Sequence, residues 1–383
     1  MHTARGADRF MSKPFLRNAW YVAAWSYEVD KALFERTIIG ESILIYRKPD
    51  GTPVAMSNAC PHRFAPLHRG KLLGDIVECP YHGLRYDTTG ACVHNPHGNG
   101  KVPRRARTRV YPLVEIHDML WIWMGDSALA DAATIPDFSC QSDDRFPTVS
   151  GVIEMHANYE LISDNLMDLT HVEFLHAGLL GSDAIKLGEH EITQNGTTLY
   201  SNRWCPNGLA PPAWDMMFDN YGKPVDHWLY MRWDAPCHML LDVGITPTGK
   251  PREDGIWMYG TDILTPKDET STYYFWGASR SYGHGDAKQD AMWKQAIEVA
   301  FGEQDKPLIE AQQRLLGLHG ATDIDGVDAV LLPTDAGPTR CRRIMEQLRA
   351  VNETQAPDPR NPALIELVEK SRGQYNGRVT PVV

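Results

Sequence analysis

Two short and similar segments constrain the fold of this 383-residue chain more than any other feature. CPHRFAPLHRG contains Cys60 and His62, and CPYHGLRYD contains Cys79 and His82. In each segment a proline follows the cysteine and restricts the backbone beside the thiol. Thiolates and imidazoles are the side chains that bind soft and borderline metals. We therefore expect the chain between the two segments to fold back, so that both loops point at one metal centre.

The division of ligands between the loops indicates which metal centre this is. Four cysteine and histidine ligands most often hold a structural zinc ion, and a zinc loop remains the alternative here. Each loop supplies one cysteine and one histidine, however, which suits a cluster with two thiolates on one iron and two imidazoles on the other. This is the Rieske [2Fe–2S] arrangement. Tyr81 is a candidate donor of a hydrogen bond to a cluster sulfur.

Composition excludes several classes of protein. The net charge of −11 argues against general nucleic-acid binding, and the absence of an apolar run of eighteen residues argues against a membrane span. Seven cysteines fit a reducing cytoplasm better than a disulfide framework. Five cysteines lack ligand spacing and are expected to be buried thiols: Cys92, Cys140, Cys205, Cys237 and Cys341.

The pattern of elements predicts an α+β protein with two domains. Short β-branched and aromatic segments predict an all-β domain over residues 13–125, after an extension of residues 1–12 in which Met11 offers a second start. Residues 126–148 are acidic, contain prolines and are expected to be a linker. Residues 149–350 are expected to form the catalytic domain, and residues 351–383 a tail. MLLDVGITP, IWMYGTDILTP and STYYFWGASR predict an antiparallel sheet, and GDAKQDAMWKQAIEVAFGEQ and KPLIEAQQRLLG predict helices.

A second group of candidate ligands lies in NYELISDNLMDLTHVEFLH, residues 158–176. Asp168 and His171 share one face of the predicted helix. His171 and His176 are separated by about 140° around a regular helix, so both can reach one metal only if the helix bulges or ends between them. Two histidines and one carboxylate form the facial triad of non-haem Fe(II) oxygenases. A capping or core role for either histidine is the alternative.

Taken together, these motifs resemble the oxygenase (alpha) component of Rieske non-haem iron oxygenases. The resemblance is to the branch of vanillate O-demethylases and dicamba-type monooxygenases, and it covers roughly residues 13–350. It includes FLRNAWYVAAWS, both cysteine loops, DNLMDLTHVEFLH and VLLPTDAGPTRCRRIMEQL. It implies a helix-grip-like catalytic domain. The ligands that it implies for the cluster are Cys60, His62, Cys79 and His82. The ligands that it implies for the iron are His171, His176 and Asp305.

The resemblance further implies roles for residues around the iron. Asp168 matches an aspartate that links an iron histidine to a cluster histidine of the neighbouring subunit in a homotrimer, and Asn165 matches a polar residue near the iron. Asp305 also suits a helix N-cap, and Glu303 and Glu310 are weaker rivals for the carboxylate ligand.

The function implied is that of a terminal oxygenase that uses O₂ and electrons from NADH. The electrons come through a separate reductase with flavin and a plant-type [2Fe–2S] cluster. Residues 43–125 carry eleven Lys or Arg and six Asp or Glu, which suits docking of an acidic redox partner. The expected reaction is hydroxylation and O-demethylation of a vanillate- or methoxybenzoate-like aromatic acid, with release of formaldehyde.

Several alternatives stay open at the level of sequence. Ring dihydroxylation, N-demethylation and aryl-methyl hydroxylation use the same iron sites, and a non-enzymatic Rieske electron carrier is the rival of another class. Some residues have the aromatic or cationic character to bind an aromatic acid but suit packing equally well: Trp228, Arg232, Trp233, Tyr259 and Arg280. Asp242 and Asp262 lie on predicted strands whose faces the sequence does not assign.

Overall fold

The computed structural model describes residues 13–353, apart from the side chain of Lys186. The described chain forms two compact units. The N-terminal unit contains residues 17–135 and 265–268, and the C-terminal unit contains residues 13–16, 136–264 and 269–353. The division at 135/136 falls within the segment predicted as a linker. The predicted N-terminal extension, and the tail beyond residue 353, lie outside the described residues.

The N-terminal unit contains three small sheets. Their strand orders are β1-β11-β10, β2-β3-β4-β9 and β5-β6-β7-β8. The strands are β1 Trp20–Trp25, β2 Phe34–Ile38, β3 Glu41–Arg47, β4 Pro53–Ser57, β5 Lys71–Leu73, β6 Ile76–Glu78, β7 Arg85–Tyr86, β8 Cys92–His94, β9 Val110–Tyr111, β10 Leu113–Ile116 and β11 Met119–Trp123. Ile39 and Gly40 connect β2 to β3 with φ of 43° and 79°, the two positive values that a tight hairpin turn requires. The all-β prediction for this region is confirmed.

The C-terminal unit is built on one seven-stranded sheet, in the order β12-β18-β17-β16-β15-β14-β13. Its strands are β12 Thr148–Met155, β13 Glu189–Asn195, β14 Thr198–Leu209, β15 Pro224–Asp234, β16 His238–Pro247, β17 Ile256–Asp268 and β18 Ser271–Arg280. In its centre, Leu241 of β16 lies opposite Met231 of β15 on one side and Gly260 of β17 on the other. Since side chains alternate along a strand, this register places alternate residues of β15, β16 and β17 on one face.

The C-terminal unit also contains helices. They are α1 Tyr159–Met167, α2 Val172–Leu175, α3 Asp183–Leu187, α4 Pro212–Met217, α5 Ala287–Ile297, α6 Lys306–Leu318 and α7 Ala336–Glu353. A π-helical segment, Glu298–Asp305, joins α5 to α6 without a break. The helical chain over residues 158–176 is interrupted, because α1 ends before Asp168. Within residues 13–353, no helix combines the length and the apolar character needed to cross a bilayer.

Candidate metal centres

The two cysteine loops of the N-terminal unit have the same backbone conformation. In each loop the fourth residue after the cysteine, Phe64 or Gly83, has a positive φ of 55° or 68°. The same residue donates its backbone N–H to the carbonyl of Cys60 or Cys79, at 2.8 and 3.1 Å. The left-handed conformation is unfavourable for phenylalanine, so the surrounding contacts must hold that loop in place. Two matched and rigid loops therefore present their side chains to one centre.

The side chains of these loops fit a Rieske cluster. The thiols of Cys60 and Cys79 are buried, and burial raises the pKa of Cys79, with the adjacent Cys60 thiol adding to the effect. The rings of His62 and His82 are 4.6 Å apart, between centroids, at the more exposed edge of the site. Paired thiols and paired imidazoles are the donor set of a half-histidine cluster. The hydroxyl of Tyr86 lies 3.2 Å from the sulfur of Cys60.

The predicted hydrogen bond from Tyr81 to a cluster sulfur stays a prediction. The side chain of Tyr81 is 58% exposed, and its ring lies 4.0 Å from that of His82. Tyr86 provides the hydroxyl beside the Cys60 thiol. It follows the half-buried Arg85 in the two-residue strand β7 and is itself buried.

A break in the helical chain brings His171 and His176 together in the C-terminal unit. After α1, Asp168 begins a single 3₁₀ turn, Leu169–His171, and its side chain accepts a hydrogen bond from the N–H of Thr170. The short helix α2 follows and ends at Leu175, directly before His176. The two rings lie 5.3 Å apart, between centroids. The helix thus ends between the histidines, as a shared metal ion requires.

Asp305 completes a group of three ligands. His171 Nε2 lies 3.8 Å from Asp305 Oδ1, and His176 Nε2 lies 3.2 Å from Asp305 Oδ2. One ligand atom of each residue lies within 4.8 Å of the others. These separations place the three ligand atoms around one space of the size of a metal ion. Two imidazoles and one carboxylate on one side of an ion match the facial triad of non-haem iron.

The alternative roles for the carboxylate do not fit the geometry. Asp305 makes no capping hydrogen bond with its side chain, because the helical chain continues through it. Glu303 is exposed. Glu310 accepts the backbone N–H of His156 at 2.9 Å. Asp305, at 2% exposure, is therefore the carboxylate that the fold brings to the two histidines.

Further hydrogen bonds orient the three candidate ligands. Nδ1 of His171 lies 2.7 Å from the backbone oxygen of Asp168, and Nδ1 of His176 lies 2.7 Å from Oε1 of Gln304. Because each Nδ1–H donates to an oxygen, each Nε2 keeps its lone pair for a metal. Asn165 donates to Asp305 Oδ1 at 3.3 Å. The sequence interpretation missed Gln304, whose only signal was its place next to the carboxylate ligand.

Electrostatics differ between the two histidines. Burial lowers the pKa of His171. Burial also opposes protonation of His176, but the hydrogen bond and charge of Asp305 prevail and raise its pKa. A metal ion at the site competes with that proton, because it binds the same Nε2 atom.

A cavity of about 80 Å³ extends from the triad over the sheet. Its lining is almost entirely apolar and includes Leu229, Met231, Val243 and Met258 from the strands and Trp293 from α5. The polar lining residues beyond the triad are His227 and Asp262. The aromatic and cationic candidates from the sequence are not among these lining residues; they are Trp228, Arg232, Trp233, Tyr259 and Arg280.

Comparison with known proteins gives the same two-part organisation. Residues 19–112 match the Rieske [2Fe-2S] domain, and residues 155–351 match the vanillate O-demethylase oxygenase C-terminal domain. The chain is 38% identical to the oxygenase component of dicamba O-demethylase from Stenotrophomonas maltophilia, over 87% of this chain and 98% of that protein. It is 36% identical to the oxygenase component of chloroacetanilide N-alkylformylase from Rhizorhabdus wittichii, over 87% and 95%.

Solved structures agree with this relationship. A crystal structure of dicamba monooxygenase with non-haem iron and dicamba superimposes with a TM-score of 0.77 and 37% identity, over 89% of this chain and 99% of that one. Fold and sites together define a Rieske non-haem iron oxygenase, with a [2Fe–2S] cluster and a mononuclear iron.

Within that class, the chain belongs to the vanillate O-demethylase family of oxygenase components. It is the terminal oxygenase of a multicomponent monooxygenase that uses O₂ and a separate reductase.

Proposed function

We propose that this oxygenase removes a methyl group from a small aromatic ether, by hydroxylating the methoxy carbon and releasing formaldehyde. The single observation that carries the proposal is the apolar cavity that opens onto His171, His176 and Asp305. An apolar lining suits a flat aromatic ring, whose burial is worth about 25 cal/mol per Å² of apolar surface. A ring held against the sheet presents a substituent to the triad.

The residues of the triad have separate tasks in this proposal. His171, His176 and Asp305 would hold the iron, and Asp168, Gln304 and Asn165 orient them through hydrogen bonds. Iron(II) in such a site supplies open positions for O₂, and a Rieske cluster supplies electrons one at a time. The apolar lining excludes water, which protects the reaction from side products. The hemiacetal formed on the substrate then collapses to a phenol and formaldehyde.

We further propose a head-to-tail homotrimer, in which Asp168 connects His171 to a cluster histidine of the neighbouring subunit. Two features support this: the partial exposure of Asp168 and the position of His62 and His82 at the exposed edge of their site. A heterologous contact of this kind closes into a ring. All seven cysteines are free and buried, which supports a reducing, cytoplasmic location.

The proposed reductase is NADH-dependent and carries flavin and a plant-type [2Fe–2S] cluster. Phe64 and Tyr81 are exposed beside the cluster loops, at 79% and 58%. Exposed cations in and directly after the first loop include Arg63, Arg69 and Lys71. A surface with exposed aromatic side chains and exposed cations suits transient docking of an acidic electron donor. Turnover with the reductase should therefore fall as ionic strength rises, whereas binding of substrate should not.

The proposal is tested by metal analysis followed by turnover. The loaded protein should contain about three irons and about two sulfides per chain, and Asp305→Ala should lose one iron but keep the cluster. With reductase, NADH and a panel of methoxyarenes, the native protein should release formaldehyde, and Asp305→Ala should release none. Glu303→Ala is the matched control, since Glu303 is exposed. A diol product without formaldehyde would instead identify a ring dioxygenase.

A relative favours one second candidate. The oxygenase component of chloroacetanilide N-alkylformylase shares 36% identity with this chain. Oxidative removal of a group from nitrogen uses the same iron site, so N-substituted anilides belong in the substrate panel.

A further inference from the structure

We propose that the cavity selects an uncharged aromatic substrate, and that Asp262 binds an N–H or O–H group of that substrate. This inference rests on the proposed function, since it specifies the substrate class for the same site. It differs from the sequence-based expectation of an aromatic acid, which remains a prediction. Its basis is the set of charged groups around the cavity.

The cavity contains no permanent positive charge among its described lining residues. Its titratable groups are the triad residues, His227 and Asp262. His227 is 1% exposed, and burial lowers its pKa to about 3, so it is neutral near pH 7. Asp262 and Asp305 are both carboxyl groups. No protein cation among these lining residues offsets the loss of hydration of a substrate carboxylate, and the carboxylate of Asp305 offsets part of the charge of the iron ion.

Arg252, in the turn between β16 and β17, and Arg232 of β15 are engaged away from the cavity. Arg252 pairs with Asp242 at 2.9 Å, and Asp242 lies between the lining residues Leu241 and Val243 on β16. Because neighbouring residues of a strand point to opposite faces, this ion pair lies on the far face of the sheet. Arg232 likewise follows the lining residue Met231 on β15, and it pairs with Asp234 at 2.8 Å.

A hydrogen bond from Tyr274 fixes the position of the Asp262 carboxylate. The hydroxyl of Tyr274 donates to Asp262 Oδ1 at 2.6 Å, and the ring of Tyr274 stacks on Phe301 with centroids 5.2 Å apart. The other oxygen, Oδ2, lies 3.6 Å from the point where a Cβ on Gly260 would stand. Gly260 lines the cavity, and its missing side chain leaves space beside Oδ2. That space is the position proposed for the polar group of the substrate.

Asp262 offers no positive charge to a substrate carboxylate in either protonation state. Burial raises its pKa to about 7, so the group is either neutral or negative, and never positive. A primary amide both donates and accepts hydrogen bonds, and it therefore matches both states.

His227 is the other polar lining residue, but it lies at the opposite end of the cavity. It is opposite Ile245 on β16, whereas Asp262 is opposite Met239. Six residues along a strand correspond to about 20 Å, which is longer than a single substituted ring. One small aromatic substrate can therefore contact Asp262 or His227, but not both. Asp262 is connected to the segment that carries Asp305, since Tyr274, which donates to Asp262, stacks on Phe301 of the π-helical segment.

The test compares three ligands of similar size on the fully loaded protein. These are 3-methoxybenzamide, methyl 3-methoxybenzoate and 3-methoxybenzoate, and anaerobic calorimetry measures their binding without turnover. The amide should bind about 10- to 100-fold more tightly than the benzoate, the range expected for one hydrogen bond to a buried charged group. The ester, which is uncharged but cannot donate, should lie between them.

Two variants locate the effect. Asp262→Asn keeps the size of the side chain and the hydrogen bond from Tyr274, and it should reduce the preference for amide over benzoate to less than about threefold. Gly260→Ala places a methyl group at ordinary contact distance from Leu241 and Asp262, so the fold should persist while amide binding weakens. Glu191→Gln, an exposed carboxylate on β13 of the same sheet, is the matched control and should change neither value.

The outcomes separate this inference from the proposed function. Equal or tighter binding of the benzoate overturns the inference, even if formaldehyde is released from it. Absence of binding by both uncharged ligands also overturns it. An unchanged preference in Asp262→Asn removes the role of Asp262. The expected binding pattern without formaldehyde from any ligand would sustain the inference and refute the proposed O-demethylation.

Discussion

Replacing Gln304 by leucine should weaken iron binding without affecting the Rieske cluster. Gln304 Oε1 accepts the Nδ1–H of His176 at 2.7 Å, in a site where His176 is 1% exposed. Leucine has a similar volume but no acceptor. Water cannot readily replace the lost oxygen at this depth, so the Nδ1–H is left without a partner in the variant.

Two estimates of the size of this effect agree. An unsatisfied buried donor costs about 1–3 kcal/mol. Loss of a hydrogen-bond partner of a metal-binding histidine typically reduces metal affinity about 10- to 100-fold, which corresponds to about 1.4–2.7 kcal/mol. We therefore expect the Kd for Fe(II) to rise by about 10- to 100-fold in Gln304→Leu.

The assay is an anaerobic titration of iron-depleted protein with Fe(II) against a competing chelator. The spectrum of the Rieske cluster in the same sample reports whether the N-terminal unit is intact. Gln304→Glu keeps an acceptor oxygen at the same length and is the matched control, with an affinity at or above that of the native protein. An affinity of Gln304→Leu within about twofold of native would refute the argument that this hydrogen bond fixes the ligand.

Three further predictions concern pH, stability and redox potential. Burial lowers the pKa of His227 to about 3, so on acidification the unfolded state binds the proton before the folded state does. The free energy of unfolding, measured by urea titration, should therefore fall by about 2 kcal/mol from pH 6.5 to pH 5. A similar fall in His227→Leu would contradict this prediction. Arg349 pairs with buried Glu160, and Arg349→Met should lower the free energy of unfolding by about 3–5 kcal/mol. Adding Glu160→Gln should restore most of that loss, and no recovery would show that the ion pair is not the cause. Tyr86→Phe removes the hydroxyl beside the thiol of Cys60 and should lower the reduction potential of the cluster. The expected change is about 59 mV for each tenfold loss in the stability of the reduced state relative to the oxidised state. An unchanged potential in a redox titration would show that this hydroxyl does not affect the cluster.

The sequence predicted those parts of the molecule whose local pattern is also their final structure. Strands β16, β17 and β18 follow the predicted segments closely, because β-branched and aromatic runs between turn residues have few other solutions. The two cysteine loops carry proline and a positive-φ position, which fix their conformation locally. The two histidines of the triad were predicted as metal ligands from the same kind of local pattern.

Other features depend on contacts that no local pattern records. The sequence predicted a helix over residues 158–176 that bulges or ends between His171 and His176. The first break lies earlier, at Asp168, whose carboxylate accepts the N–H of Thr170. Asp242 and Asp262 have equivalent strand sequences, yet one pairs with Arg252 and the other lines the cavity. Alternation assigns residues to two faces, but only the packing partner determines which face is the interior.

The π-helical segment Glu298–Asp305 makes chain length a condition of activity. Removing one residue from the helical chain upstream of Asp305, with the π-helical segment kept, would turn the carboxylate by about 100° away from the histidines. All three ligands would still be present, but they would no longer meet. In this stretch, spacing should therefore tolerate as little change during evolution as the identity of the ligands themselves.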